Sequence, residues 1–175
     1  MEKDLSYLKT KIRDVRDFPT PGVLFKDIAP VLEDAAMLHD VTDGLAEKFR
    51  GGDVVKVLGV DARGFLLAAP VAYLIGAGVV MARKKGKLPS ATVKREHGLE
   101  YGKGTLEVHR DAISQGERIA IIDDVLATGG TARAAIELVE ELGGEIVGLG
   151  FLLELTQFSG RALLGRHEIF SLLCY

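Results

Sequence analysis

Residues 119–133, "IAIIDDVLATGGTAR", place two adjacent carboxylates at the end of an apolar run and follow them with a loop of small, hydroxyl-bearing and glycine residues. Where such a loop runs into a helix, unpaired backbone N–H groups lie at the positive end of the helix dipole, and glycines let a phosphate approach the main chain. Thr128 and Thr131 add hydroxyl donors. Asp123 and Asp124 would repel that phosphate unless they faced something else, and ribose hydroxyls or a Mg²⁺ bridging them are the natural partners. A sugar 5′-phosphate presents both ends. An ordinary strand–turn–helix junction explains "DD" taken alone, but not the whole string. No G-x-x-x-x-G-K-[ST] element occurs, and "GLG" at 148–150 is too little for a dinucleotide fingerprint.

Other residues could serve the same ligand. Asp61, Ala62, Arg63 and Gly64 follow the apolar run 54–60, at the same sheet edge as the loop, where a guanidinium fork could bind pyrophosphate oxygens bidentately. A solvated surface arginine is the plainer reading. Between residues 83 and 95 stand Arg83, Lys84, Lys85, Lys87, Lys94 and Arg95 with no acid, which focuses an anion locally in a chain of net charge -3. A charge run is otherwise a solvated face. "FPTPGVLFKDI" (18–28) is rigidified by Pro19 and Pro21 and sets Phe25 among apolar neighbours, a flat surface on which a purine could stack, or simply a core residue. His39, His97, His109 and His167 show no metal-ligand spacing.

The elements that must position these groups follow from periodicity. Short β-branched runs at 54–60, 78–82, 118–123 and 145–153 alternate with helical stretches at 65–75 and 132–142, the pattern of parallel strands buried on both faces. Ligands of such open α/β sheets sit outside the carboxyl ends of the strands. Leu5, Leu8, Ile12 and Val15 predict an amphipathic helix over 3–16, and Met37, Val41, Leu45 and Phe49 predict a second ending at Gly51 and Gly52. Between Ala82 and Arg118 the rhythm gives way to a polar excursion in which only "TLEVHRD" alternates as an exposed strand would. A mobile lid is the expectation for such an insertion.

A chain of 175 residues, 47% hydrophobic, is long enough for one well-buried core and short for two domains. Its slight negative charge argues against whole-surface attraction to nucleic acid or an anionic membrane. The single cysteine, Cys174, cannot form an intrachain disulfide, and the first twenty residues carry no signal-peptide core, so a reducing cytoplasm fits best. Residues 65–82 form an uncharged run of membrane-spanning length, but Pro70 and the Gly76–Gly78 pair split it into a buried helix and a buried strand.

"IIDDVLATGGT" resembles the phosphoribosyl-pyrophosphate (PRPP) signature of the type I phosphoribosyltransferases. "DFPTPGVLFKDI" (17–28), "DARGF" (61–65), "RKKGKLP" (83–89), "LEYGKGTLEVHRDAI" (99–113) and "FLLELTQFSGR" (151–161) resemble, in the same order and over nearly the whole chain, motifs of the adenine-using members of that family. The resemblance implies an α/β fold in one domain spanning 1–175, an open, mostly parallel sheet flanked by helices, with a small hood for base recognition near 1–34 and a flexible catalytic loop near 90–107. It implies transfer of the 5-phosphoribosyl group from PRPP to adenine, giving AMP and pyrophosphate in purine salvage, with Mg²⁺, in a cytoplasmic homodimer without nucleic-acid or membrane partners.

The same resemblance implies site roles. Asp123 and Asp124 take the ribose hydroxyls; Ala127, Thr128, Gly129, Gly130 and Thr131 take the 5′-phosphate, with Tyr101 closing over it. Arg63, in a strained loop, and Arg83, Lys84 and Lys87, from the same chain or across a dimer interface, contact pyrophosphate. Phe25 stacks on adenine, Leu24 and Lys26 read it through main-chain groups, and Glu100 handles the proton of its imidazole ring. "EHG" at 96–98 departs from the family pattern, which more often has an aromatic residue there, and leaves the packing of the lid open. Related enzymes using a 6-oxo purine or a pyrimidine are separated by base competition. A PRPP-sensing regulator would call for a basic face or a helix-turn-helix extension, neither of which this chain carries.

Overall fold

The alternation at 119–122 explains the architecture. In a computed structural model that describes residues 4–99 and 102–175, Ile119 and Ile121 face one buried cluster while Ala120 and Ile122 face another. Successive side chains of a strand point to opposite faces, so a strand apolar at every position needs cover on both sides. Helices α2 (Ala35–Phe49) and α3 (Arg63–Ile75) supply it on one face through residues such as Leu45, Phe49, Leu67 and Val71. Helix α4 (Gly130–Glu141) supplies it on the other through Ile136, Leu138 and Val139.

The main sheet runs in the order β5 (Thr92–Leu99), β6 (Gly102–His109), β4 (Gly78–Lys84), β3 (Lys56–Val60), β7 (Arg118–Leu126), β8 (Glu145–Glu154), β9 (Ile169–Cys174). The five strands from β4 to β9 are parallel; β5 and β6 form an antiparallel hairpin joined to β4. The chain passes outward from β3 to β4 on one side and from β7 to β8 and β9 on the other. The strand order therefore reverses between β3 and β7, which is where a ligand crevice opens in such sheets. A separate two-stranded sheet, β1 (Arg13–Arg16) with β2 (Leu24–Asp27), stands apart, and a short helix α1 (Ala29–Glu33) follows it.

Several expectations need correction. The helix predicted over 3–16 is a 3₁₀ turn, Ser6–Thr10, followed by β1. Leu5, Leu8 and Ile12 are buried as the period requires, but Val15 is opposite Phe25 in the strand pair, so tertiary pairing overrides the helical spacing. The excursion after Ala82 is more regular than expected, because Val93, Leu106 and Val108 are buried along both strands of the hairpin while Lys94 and Glu96 stay exposed. Near the C-terminus Ile169–Cys174 form edge strand β9 against β8. The uncharged run 65–82 divides as expected at Gly76, which ends α3 with φ +73° and leads to β4, but neither element is wholly buried, because Leu66, Tyr73, Val79 and Met81 stay exposed. Among the described residues no helix is long and apolar enough to cross a membrane.

Candidate active site

Strand β7 carries Asp123 and Asp124 to the carboxyl edge of the sheet, beside the end of β3. Gly64, in the first turn of α3, packs directly on Ile122 and Asp123: a Cβ there would meet Asp123 Oδ1 at 2.8 Å and Ile122 O at 3.0 Å. This close approach seats the start of α3 on β7 and places Arg63 over the acids. Arg63 Nε lies 2.5 Å from Asp124 Oδ2. Its N–H is not aimed at that oxygen, which is buried and has no hydrogen-bond partner among the described residues. A buried carboxylate oxygen without a donor carries a desolvation cost that an incoming hydroxyl would relieve.

Asp123 accepts the Asp124 backbone N–H at 2.9 Å. The residue is partly exposed along the cleft and densely surrounded by protein. That burial, reinforced by the neighbouring charge of Asp124 and opposed by Arg63, pushes its proton affinity well above the ordinary carboxylate range. The acid pair is thus held at an electrostatic cost of the kind found where a ligand supplies compensation.

After Leu126 the chain turns through Ala127 and Thr128 to Gly129, whose φ of +84° favours glycine, and α4 begins at Gly130. No side chain caps this helix, so its first-turn amides are available to an anion. The loop is backed from outside: a Cβ on Gly129 would meet Gly160 O at 2.6 Å. From the other side the hairpin closes on it, with Gly98 O so near Gly130 that a Cβ would clash, and with His97 Nδ1 3.5 Å from Thr131 Oγ1. Burial holds the His97 imidazole below its usual pKa and favours its neutral form. Arg95 pins β5 to α4 through Glu141 at 2.6 Å and Glu137 at 3.6 Å.

The third wall comes from the small sheet. Phe25 is only partly buried, contacts Phe18 edge to face at 5.2 Å between centroids, and has the Arg63 guanidinium 5.0 Å from its ring. These walls enclose a cleft of about 600 Å³, the size expected of a small-molecule site. A larger hollow of about 870 Å³ along α2 and β9 is lined by acidic side chains such as Asp40, Asp43 and Glu47 together with Lys9, Lys48 and Arg161, and holds neither the acid pair nor the glycine-rich loop.

The cleft brings together Leu24, Phe25, Lys26, Arg63, Lys84, Asp123, Asp124 and the whole of Ala127–Thr131. Lys26 lines it although its Nζ turns outward to Asp14 at 2.6 Å and to the Tyr175 ring at 4.2 Å. Arg83 and Lys87 do not line it. Arg83 binds Asp61 Oδ2 at 3.3 Å and the Lys87 carbonyl at 3.1 Å, while the Lys87 side chain is exposed. The peptide between Asp61 and Ala62 is cis. Glu100 and Tyr101 lie outside the described residues. Sequence reasoning passed over His97 and Gly160, both in contact with the loop; the only signal for either was its position within a motif quoted for other reasons.

Residues 30–161 match the family model described as a phosphoribosyl transferase domain. Among curated relatives, the adenine phosphoribosyltransferase of Solibacter usitatus is 52% identical over 96% of this chain and 97% of its own. The crystal structure of adenine phosphoribosyltransferase from Thermoanaerobacter pseudethanolicus is 46% identical, with a TM-score of 0.94 over 98% of this chain and 99% of that one. The Saccharomyces cerevisiae enzyme, complexed with an imino-altritol bisphosphate and adenine, is 34% identical, with a TM-score of 0.87 over 94% and 96% of the two chains.

Proposed function

This chain belongs to the phosphoribosyltransferase family, among its adenine phosphoribosyltransferases, and from that premise we propose how its residues carry out transfer of the phosphoribosyl group from PRPP to adenine. The observation that carries the reading is the juxtaposition in one cleft of a carboxylate pair, an uncapped glycine-rich helix start and a partly exposed phenylalanine. Those three features match, in order, the ribose diol, the 5′-phosphate and the purine of the product AMP.

Asp123 and Asp124 accept hydrogen bonds from the ribose 2′- and 3′-hydroxyls, which relieves the unpartnered Asp124 Oδ2. The Ala127–Thr131 loop holds the phosphate by its amides and hydroxyls, fixing the sugar for displacement at its anomeric carbon. The bond from that carbon to pyrophosphate breaks as the bond to N9 of adenine forms, and the acid pair stabilises positive charge developing on the ring. Arg63 exchanges Asp124 for the departing pyrophosphate, with Lys84 nearby. Phe25 stacks on adenine. Glu100 takes the N9 proton, and the β5–β6 hairpin with Tyr101 excludes water. Arg83 and Lys87 shape the turn after β4 and reach pyrophosphate only if their present contacts open.

Among the described residues no group of three or more His, Cys, Asp or Glu side chains is placed to hold a metal. The oxygen donors of Asp123 and Asp124 suit a Mg²⁺ carried mainly by substrate oxygens, which would neutralise charge on the leaving pyrophosphate. The segment over 1–34 acts as the base-recognising hood and the hairpin as the lid. Large apolar side chains stay exposed on α3 and β4, with Tyr73 85% exposed alongside Leu66, Val79 and Met81, a face suited to the same face of a second copy in a homodimer. A cytoplasmic setting follows from the lone cysteine and the phosphorylated substrates.

The test is product formation from PRPP and Mg²⁺ with each nucleobase separately, following nucleotide and pyrophosphate together. AMP from adenine is the expected result. PRPP binding without turnover of any base would overturn the enzymatic reading.

A further inference from the structure

A second turn packs directly against the Ala127–Gly129 loop. After β8 the chain joins the end of β7 through Leu155 N–H to Leu126 O at 2.8 Å and then brings Gly160 against the loop. A Cβ on Gly160 would clash with Ala127 O and stand 2.8 Å from Gly129 N, so the two backbones stack with no room for a side chain. The next residue, Arg161, is tied to the sheet by its guanidinium. Arg161 grips the buried carboxylate of Glu154 with Nε to Oε1 at 3.1 Å and Nη2 to Oε2 at 2.6 Å, and donates through Nη1 to Ile169 O at 2.9 Å. The Ser171 hydroxyl donates to Glu154 Oε2 at 2.7 Å, completing the network across β8 and β9.

We propose that Arg161, locked by Glu154 and Ser171, is a positioning residue for the phosphate-binding loop, setting the place of the Ala127–Gly129 backbone through Gly160. The proposal rests on the phosphate role given to that loop above. A bidentate guanidinium–carboxylate pair fixes direction as well as distance. An ammonium on a flexible stem keeps the charge and loses the fork. A misplaced cradle should weaken the phosphate end of the substrate and leave the base end alone.

The experiment compares wild type with Arg161→Lys, Arg161→Met, Gly160→Ala and the double variant Glu154→Met/Arg161→Met. The readouts are the dissociation constant of ribose 5-phosphate, the separate KM values for PRPP and adenine, and Tm. The variants should weaken ribose 5-phosphate and raise KM for PRPP by roughly ten- to a hundredfold, with KM for adenine at its wild-type value. Removing both charges relieves the buried carboxylate, so the double variant should recover Tm relative to Arg161→Met while its ribose 5-phosphate affinity stays low. Folded variants that bind ribose 5-phosphate as wild type does, or that lose adenine and PRPP equally, overturn the proposal. A wild-type protein that fails to bind ribose 5-phosphate overturns the phosphate role of the loop, and the positioning role with it.

Discussion

Arg63 Nε stands 2.5 Å from Asp124 Oδ2 without directing a hydrogen bond to it. The arginine therefore balances the charge of a buried acid, and a bound sugar would bring hydroxyl donors to the acid pair while pyrophosphate takes the guanidinium. Arg63→Met should lower kcat/KM by roughly 10²–10³ and also lower Tm, because Asp124 then carries an uncompensated buried charge. Adding Asp124→Asn should recover the Tm and none of the rate. Steady-state kinetics and thermal melts on the single and double variants decide it.

Asp123 binds its proton more tightly in the folded protein than in the unfolded chain, chiefly through burial. Stability linked to that proton is fully present below the unfolded pKa and is lost as pH rises through the folded one. Asp123→Asn should match wild type in Tm near pH 4 and exceed it by ~2–4 °C at pH 8, while turnover collapses. A variant no more stable than wild type at pH 8 would contradict the raised proton affinity of this carboxylate.

Phe25 has a partly exposed ring, so its truncation should cost little fold stability. Phe25→Ala should raise KM for adenine about five- to a hundredfold, the range of ~1–3 kcal/mol for base stacking, with KM for PRPP unchanged. A variant with wild-type KM for adenine would return Phe25 to a packing role.

Gly130 leaves no room for a side chain beneath Gly98 O. Gly130→Ala should lift the hairpin from the phosphate loop, raise KM for PRPP about tenfold, and speed amide exchange in β5 while sparing β7. Unchanged exchange in β5 would mean that the hairpin does not rest on this contact.

Glu100→Leu should lower turnover by roughly 10²–10⁴, the range for loss of a general acid or base, and leave Tm at its wild-type value. Retained turnover would remove Glu100 from the chemistry.

The sequence by itself determined the parallel core and the central loop. Short β-branched runs alternating with helical stretches call for a parallel sheet covered by helices, although β4 keeps Val79 and Met81 exposed, and "DDVLATGGT" runs from the end of a strand into the start of a helix. These features are local in the chain, so periodicity and residue type reveal them. Only the tertiary structure decided the rest. Val15 obeys a helical period and yet pairs with Phe25, because the strand partner lies ten residues away. Arg83 and Lys87 share a basic run with Lys84, but Asp61 and a local carbonyl hold Arg83 out of the cleft that Lys84 lines. Gly160 lies about thirty residues from the loop it supports, and the ion pair that seats it joins β8 to a later turn and β9. Contacts between residues so far apart in the chain leave no periodic trace, since nothing local in either segment depends on the other until the sheet has formed.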